Sequence, residues 1–245
     1  MRITTARFIG RTKQRAVNEK SFTALVVGST VIVINTIYMI KLGNIELHCC
    51  DCMEYMRGLE DSIFDLAIVD PPYGLQKSST TGSGKLKKRA LNEGKISQWD
   101  KAPSNEYFTE LFRVSKHQII WGGNYFNLPP TRGIICWDKC QPWENFSQWE
   151  MAWTSFDTPA SLFRFDNRTG DKIHPTQKPV DLYRWLLHKY AKSGWKILDT
   201  HIGSGSIAIA CDIEGFELVG CEINEEYFRN MVERVKLHQS QLRLF

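Results

Sequence analysis

The chain has 245 residues, with 31 Lys and Arg against 27 Asp and Glu, 42% apolar and 24% charged; that is enough for a sizeable core and excludes a disordered chain, a fibre or a repeat solenoid. A net charge of +4 suits a polyanionic partner without arguing for one. Seven cysteines in a chain this long are no disulfide framework, and neither Cys49-Cys50-Asp51-Cys52 nor Cys136/Cys140 has the paired CxxC spacing of structural zinc; reduced thiols in a cytoplasmic protein are the expectation.

The first twenty residues are basic (Arg2, Arg7, Arg11, Lys13, Arg15, Lys20), and Ser21 to Ile40 then carry no charge. Such a run is long enough for a membrane anchor. Its Ser21, Thr23, Gly28, Ser29, Thr30, Asn35 and Thr36, set among β-branched residues, suit paired β structure better. Residues 1–38 are therefore read as an N-terminal extension of unknown role. Residues 39–245 are read as the domain that carries the chemistry.

From residue 43 onward the pattern alternates between strands and helices. Ile45–Cys49 predicts a strand, Cys52–Leu59 a short helix, and the near-continuous apolar run Phe64–Val69 a strand buried on both faces. Residues 74–104 form a polar, Gly- and Ser-rich insertion. Glu106–Val114 is predicted helical, followed by strands at Gln118–Trp121, Arg132–Trp137 and Met151–Thr154. Pro179 opens a helix over Val180–Lys192. Lys196–Leu198 is a strand, Ile207–Glu214 a helix, Glu217–Cys221 a strand and Glu225–His238 the last helix. This order predicts a doubly wound α/β fold with a mostly parallel sheet.

Three groups of residues carry chemistry. In the first, a strand runs into Asp199, the turn Gly203-Ser204-Gly205 and a helix, and Glu222 closes the next strand. The glycines admit close backbone approach, the helix start offers free N–H groups, and the acid suits ribose hydroxyls, so the arrangement fits a nucleoside. In the second, Asp70-Pro71-Pro72-Tyr73 follows a buried strand. The prolines fix the backbone, so the Asp70 carboxylate and the Pro71 carbonyl form adjacent acceptors for an amino group, and Tyr73 offers a face to a planar ring. The bland alternative is a rigid loop with a capping aspartate. The third, His174-Pro-Thr-Gln-Lys178-Pro179, reads on its own as no more than a polar helix entry. Trp121 at another strand end is equally a pocket lining or a core residue.

Together these pieces resemble the amino-methyltransferases of DNA, in the β-class order where the catalytic motif precedes the cofactor motif. Asp70-Pro-Pro-Tyr73 matches the DPPY motif, which in that family favours adenine N6, whereas SPPY is commoner for cytosine N4. His174–Pro179 matches the HPTQKP signature. Ile197–Ser206 resembles the cofactor motif DPFxGSGT, with Thr200 and His201 in place of Pro and Phe and Ser206 in place of Thr. The resemblance covers about residues 39–238 and implies a circularly permuted Rossmann-like fold of the S-adenosylmethionine-dependent methyltransferase type.

It further implies catalytic roles for Asp70, Pro71, Pro72 and Tyr73. S-adenosyl-L-methionine is the implied cofactor, at Asp51, Lys178, Asp199, Gly203, Ser204, Gly205 and Glu222, with no metal. The implied substrate is double-stranded DNA, its target adenine flipped from the duplex. Phosphate contacts are expected from Lys85, Lys87, Lys88 and Arg89 in the basic insertion. Cytosine-N4 transfer and an inactive DNA-binding relative are the alternatives. A homodimer and a companion restriction endonuclease are both compatible with the family.

Overall fold

The structure is a computed structural model. It describes residues 2–10, 17–27, 30–75, 101–141, 147–166 and 177–241, with side chains from residue 38 onward. In chain order the first elements are β1 (Arg2–Gly10), β2 (Val17–Val27), β3 (Thr30–Leu42), β4 (Ile45–Cys49), α1 (Cys52–Arg57), β5 (Phe64–Val69), α2 (Asn105–Val114) and β6 (Ser115–Trp121). Then come a 3₁₀ turn at Gly123–Tyr125, β7 (Ile134–Asp138), β8 (Trp149–Thr154), β9 (Ser161–Arg164), α3 (Val180–Tyr190), β10 (Lys196–Asp199), α4 (Ser206–Glu214), β11 (Glu217–Glu222) and α5 (Glu225–Gln241). The chain divides into two compact units, one formed by Met1–Leu59 with Pro179–Phe245, the other by Glu60–Lys178.

In the first unit the strand order is β1-β2-β3-β4-β11-β10. The four N-terminal strands are joined by short connections and pair antiparallel, whereas β4–β11 and β11–β10 are parallel. The uncharged run that could pass for an anchor is thus drawn into strand pairs, and among the described residues no helix is long and apolar enough to cross a membrane. The core is built from Ile45 and Leu47 of β4, Ile197 and Leu198 of β10, and Leu218 and Val219 of β11. Helix α5 buries Phe228, Met231, Val232 and Val235, the i, i+3, i+4, i+7 spacing of one helix face. Each such side chain contributes about 1.5–3 kcal/mol when removed from water.

In the second unit the order is β5-β6-β8-β7-β9. Strands β5 and β6 run parallel, β8 lies antiparallel to both β6 and β7, and β9 is parallel to β7. Leu66, Ala67 and Ile68 of β5 and Ile119, Ile120 and Trp121 of β6 are fully buried. Helix α2 turns Tyr107, Phe108, Leu111 and Val114 inward. The α/β alternation expected from the sequence is present, but the sheet pairing is mixed rather than mostly parallel. The short connections of the N-terminal strands and of β7–β8 leave no room for the crossover that a parallel pair requires.

Candidate active site

The second unit carries the Asp-Pro-Pro-Tyr segment directly beyond β5. Val69 and Pro71 are buried on either side of Asp70, so the acid leaves a rigid strand end with little backbone freedom. Both carboxylate oxygens are engaged. The Tyr73 hydroxyl donates to Asp70 Oδ1 at 2.7 Å, and the Lys178 ammonium donates to Oδ2 at 2.5 Å. The Tyr73 ring stacks on Tyr125 with centroids 5.0 Å apart and meets Phe126 edge-on at 6.1 Å.

Lys178 is buried, its side chain only 3% exposed. Its ammonium also lies 3.1 Å from Glu150 Oε2 and 5.1 Å from the centroid of the Trp121 ring. Glu150 Oε1 in turn holds the Lys139 ammonium at 2.5 Å. Burial opposes the charge of Lys178, yet Asp70 and Glu150 outweigh it and hold its pKa above the ordinary lysine value. Burial likewise opposes ionisation of Glu150, and the two lysines overcome it, bringing this carboxyl down to about 2. Trp121 is therefore both a core residue and the floor beneath Lys178.

The sequence places Lys178 with the cofactor residues; in the structure its charged end is spent on Asp70 and Glu150, within the unit that holds the Asp-Pro-Pro-Tyr segment. Glu150 and Lys139 escape sequence reasoning because neither falls in a motif. One signal was available. On β8, Glu150 shares a strand face with Ala152 and Thr154, both fully buried, and an acid on such a face calls for a cation.

The first unit carries the glycine turn. Strand β10 ends at Asp199, 2% exposed, whose Oδ1 accepts the His201 N–H at 2.9 Å. Gly203 and Gly205 have φ of +50° and +74°, backbone that side chains rarely adopt, and α4 begins at the next residue. A β-carbon on Gly205 would also fall 2.6 Å from Met231 Cγ, so the turn is closed against any larger residue. Arg234 of α5 braces it from behind, donating to the Ser204 carbonyl at 2.8 Å and to Ser206 Oγ at 3.0 Å.

Glu222, at the end of β11, is tied to the same turn. Its Oε2 accepts the Gly203 N–H at 3.1 Å and its Oε1 the Asn224 N–H at 2.8 Å. Burial raises its pKa, against the lowering effect of those N–H groups. Strand β4 lies alongside in parallel register, with Cys49 opposite Glu222. Asp51 consequently leaves the same end of the sheet, where it caps α1 by accepting the Met53 N–H at 2.7 Å. His201 is half-buried, and loss of solvation pushes its pKa down to about 4 against the pull of Asp51.

The structure thus brings Asp51, Asp199, Gly203, Ser204, Gly205 and Glu222 together in one unit, and Asp70, Pro71, Pro72, Tyr73 and Lys178 together in the other. Lys85, Lys87, Lys88 and Arg89, and the His174–Thr176 part of the HPTQKP segment, lie outside the described residues. Among the described residues no group of three or more His, Cys, Asp or Glu is arranged to hold a metal ion.

Comparison with known proteins gives concordant findings. Residues 149–233 match the family model described as DNA methylase. The chain is 26% identical over 240 residues to the type II methyltransferase M.HpaI of Haemophilus parainfluenzae, covering 78% of this chain and 74% of that one. It is 23% identical over 235 residues to the type II methyltransferase M2.MboI of Moraxella bovis, covering 75% of this chain and 85% of that one. Among solved structures, the PvuII DNA methyltransferase (cytosine-N4-specific) superposes with a TM-score of 0.56 at 13% identity, covering 82% of this chain and 93% of that one. The two folds are alike.

Proposed function

We propose that this chain, a DNA amino-methyltransferase by its motifs and its relatives, transfers a methyl group from S-adenosylmethionine to the exocyclic N6 of adenine in double-stranded DNA. The observation that carries the reading is Asp70, aimed at a rigid strand end by hydrogen bonds from Tyr73 and Lys178, beside the carbonyl of a proline that has no N–H to obstruct it. Aspartate in the first position of this motif supports adenine over cytosine.

The first unit fits the cofactor. Backbone N–H groups hydrogen-bond both Glu222 oxygens, and a carboxylate has about four acceptor positions, so acceptor capacity remains for ribose. The left-handed turn at Gly203 and Gly205 brings backbone, not side chains, to the ligand. Asp199 and Asp51, anchored by their own backbone contacts, would complete its seat with Ser204. When bound, S-adenosylmethionine supplies an electrophilic methyl group on a sulfonium.

An aromatic amine is a poor nucleophile because its lone pair is delocalised into the ring. Asp70 and the Pro71 carbonyl, accepting its two hydrogens, draw the nitrogen toward tetrahedral geometry and restore that lone pair. Asp70 also offsets the positive charge that builds on nitrogen during transfer, an electrostatic effect on the order of 10²–10³ in rate for a single well-placed group. The two prolines hold both acceptors at a fixed spacing, which lowers the entropic cost of the encounter. Tyr125, 48% exposed and stacked on Tyr73, extends the aromatic surface that a flipped base would meet. Phosphates are left to Lys85, Lys87, Lys88 and Arg89.

The test is direct. The protein is incubated with unmethylated DNA and S-adenosylmethionine carrying a labelled methyl group, the DNA is digested, and the labelled nucleoside is identified by mass. Label in N6-methyladenine is the expected result. Label in N4-methylcytosine would retain the chemistry and overturn the base; label in no nucleoside would overturn the function.

A further inference from the structure

Asp70 does not stand alone in its unit. From it a chain of alternating charges runs through the unit: Asp70, Lys178, Glu150, Lys139, with contacts of 2.5, 3.1 and 2.5 Å. The members come from four separate segments: the loop after β5, the residue before Pro179, β8, and the residue after β7. Lys139 is fixed at the backbone too, its N–H donating to the Gln148 carbonyl at 2.9 Å. Lys178, next to a proline, has an extended backbone by preference and no exposed path for its ammonium, which lies over the buried Trp121 ring. Four charges that sum to zero are held where a single unpaired one would be costly.

A carboxylate that accepts hydrogens from a neutral amine has to be aimed, because a shift of about 1 Å in a reacting group costs on the order of 10²-fold in rate. Asp70 has two side-chain torsions, and solvent alone would leave them free. Tyr73 fixes one oxygen and Lys178 the other. Lys178 is a compact point charge on a flexible stem, so its own position needs a second anchor, and Glu150 is that anchor. Lys139 balances Glu150 from the far side.

We propose that Lys178 is a positioning residue for Asp70, and that Glu150, backed by Lys139, holds Lys178 at that carboxylate. This rests on the reading of Asp70 as the acceptor of the substrate amine. It moves Lys178 out of the set of cofactor ligands and gives Glu150 and Lys139 a part in the reaction without contact to substrate. Removing Lys178 would leave Asp70 and Glu150 as two carboxylates without the cation between them, and like charges so placed favour uptake of a proton. The protonated acid is the wrong state for accepting hydrogens from an amine.

The experiment compares wild type with Lys178→Met, Glu150→Gln and Lys178→Arg, which keeps a cation between the two carboxylates and so stays folded if Lys178→Met does not. Methyl transfer to DNA is measured across pH, and S-adenosylmethionine binding is measured separately by calorimetry. The expected result for Lys178→Met is kcat down about 100-fold, the acid limb of the rate profile moved to higher pH, and cofactor Kd within about twofold of wild type. Glu150→Gln should fall about tenfold, and Lys178→Arg should melt near wild type and lose less rate than Lys178→Met. Cofactor binding weakened tenfold in Lys178→Met with kcat preserved would overturn the proposal and return Lys178 to the cofactor. An unchanged kcat and pH profile would overturn it as well. A wild-type chain that methylates no DNA would sink the functional reading, while the calorimetry would still decide whether Lys178 serves the cofactor.

Discussion

Gly122 lies against the ring of Tyr73 so closely that a β-carbon on it would come within 2.2 Å of Tyr73 Cε1. The glycine also has φ of +68°, so the position excludes side chains twice over, by conformation and by space. Tyr73 in turn hydrogen-bonds Asp70, which links an unremarkable turn after β6 to the aim of a carboxylate after β5.

Gly122→Ala should therefore cost about 2–4 kcal/mol of stability and lower methyl transfer by displacing the Tyr73 hydroxyl. Thermal unfolding and steady-state kinetics check the two effects. A variant that melts as wild type and turns over as wild type would show that the Tyr73 ring can yield without consequence.

His201 predicts a pH effect on stability. Its pKa is lowered by burial to about 4, below the ordinary value near 6.5, so the native state favours the neutral ring. The contribution to stability is complete above about pH 6.5 and is lost as pH falls toward 4. Replacing it with phenylalanine, which fills the same seat without a charge, should abolish that loss. Melting curves at pH 7 and pH 4.5 should converge in His201→Phe by about 1–2 kcal/mol relative to wild type.

Glu222 carries the opposite sign. Burial raises its carboxyl pKa, so stability is complete below the unfolded value and declines as pH rises through the native one. Glu222→Gln should be more stable than wild type at pH 8 and equal to it at pH 4. The same change should weaken S-adenosylmethionine binding about tenfold, the loss expected when a charge-assisted hydrogen bond becomes a neutral one. Denaturation at the two pH values and calorimetry test both halves.

Arg234 touches the glycine turn only from behind. Loss of its two hydrogen bonds to Ser204 and Ser206 in Arg234→Met should raise the cofactor Kd by up to about 30-fold, at about 1 kcal/mol per bond. Affinity for DNA should not change. Equal losses in both affinities would point to general unfolding rather than to the turn.

These residues were not equally legible in the sequence. Phe64–Val69 is readable because a strand buried on both faces has no polar interruption, and the helix over Val180–Tyr190 because its apolar residues recur with helical spacing. Strand β9 is not: its four residues alternate between half-buried and exposed, so no hydrophobic period marks them, and their strand character comes from pairing with β7. The mixed sheet was hidden for a related reason, since direction depends on which distant strands become neighbours. The glycine turn and the Asp-Pro-Pro-Tyr segment are contiguous and could be read directly. The Lys178–Glu150–Lys139 chain could not, because it assembles three segments whose proximity exists only in the folded unit.

The division of the chain also has a kinetic consequence. Strand β4 leaves the N-terminal part and finds its parallel partner, β11, only near the other end of the sequence, with all of Glu60–Lys178 between them. That intervening unit pairs its own strands β5 to β9 with one another, and all five of those strands exist as soon as Lys178 is synthesised. Closure of the long loop is slow and entropically costly, so during synthesis the strands of the middle can pair while the unit that holds the beginning is still incomplete. Until β11 emerges, one edge of β4 is covered by its antiparallel neighbour β3 and the other waits open. The glycine turn at Gly203 and Gly205, which sits on the last strands to be made, is then the final part of the molecule to take shape.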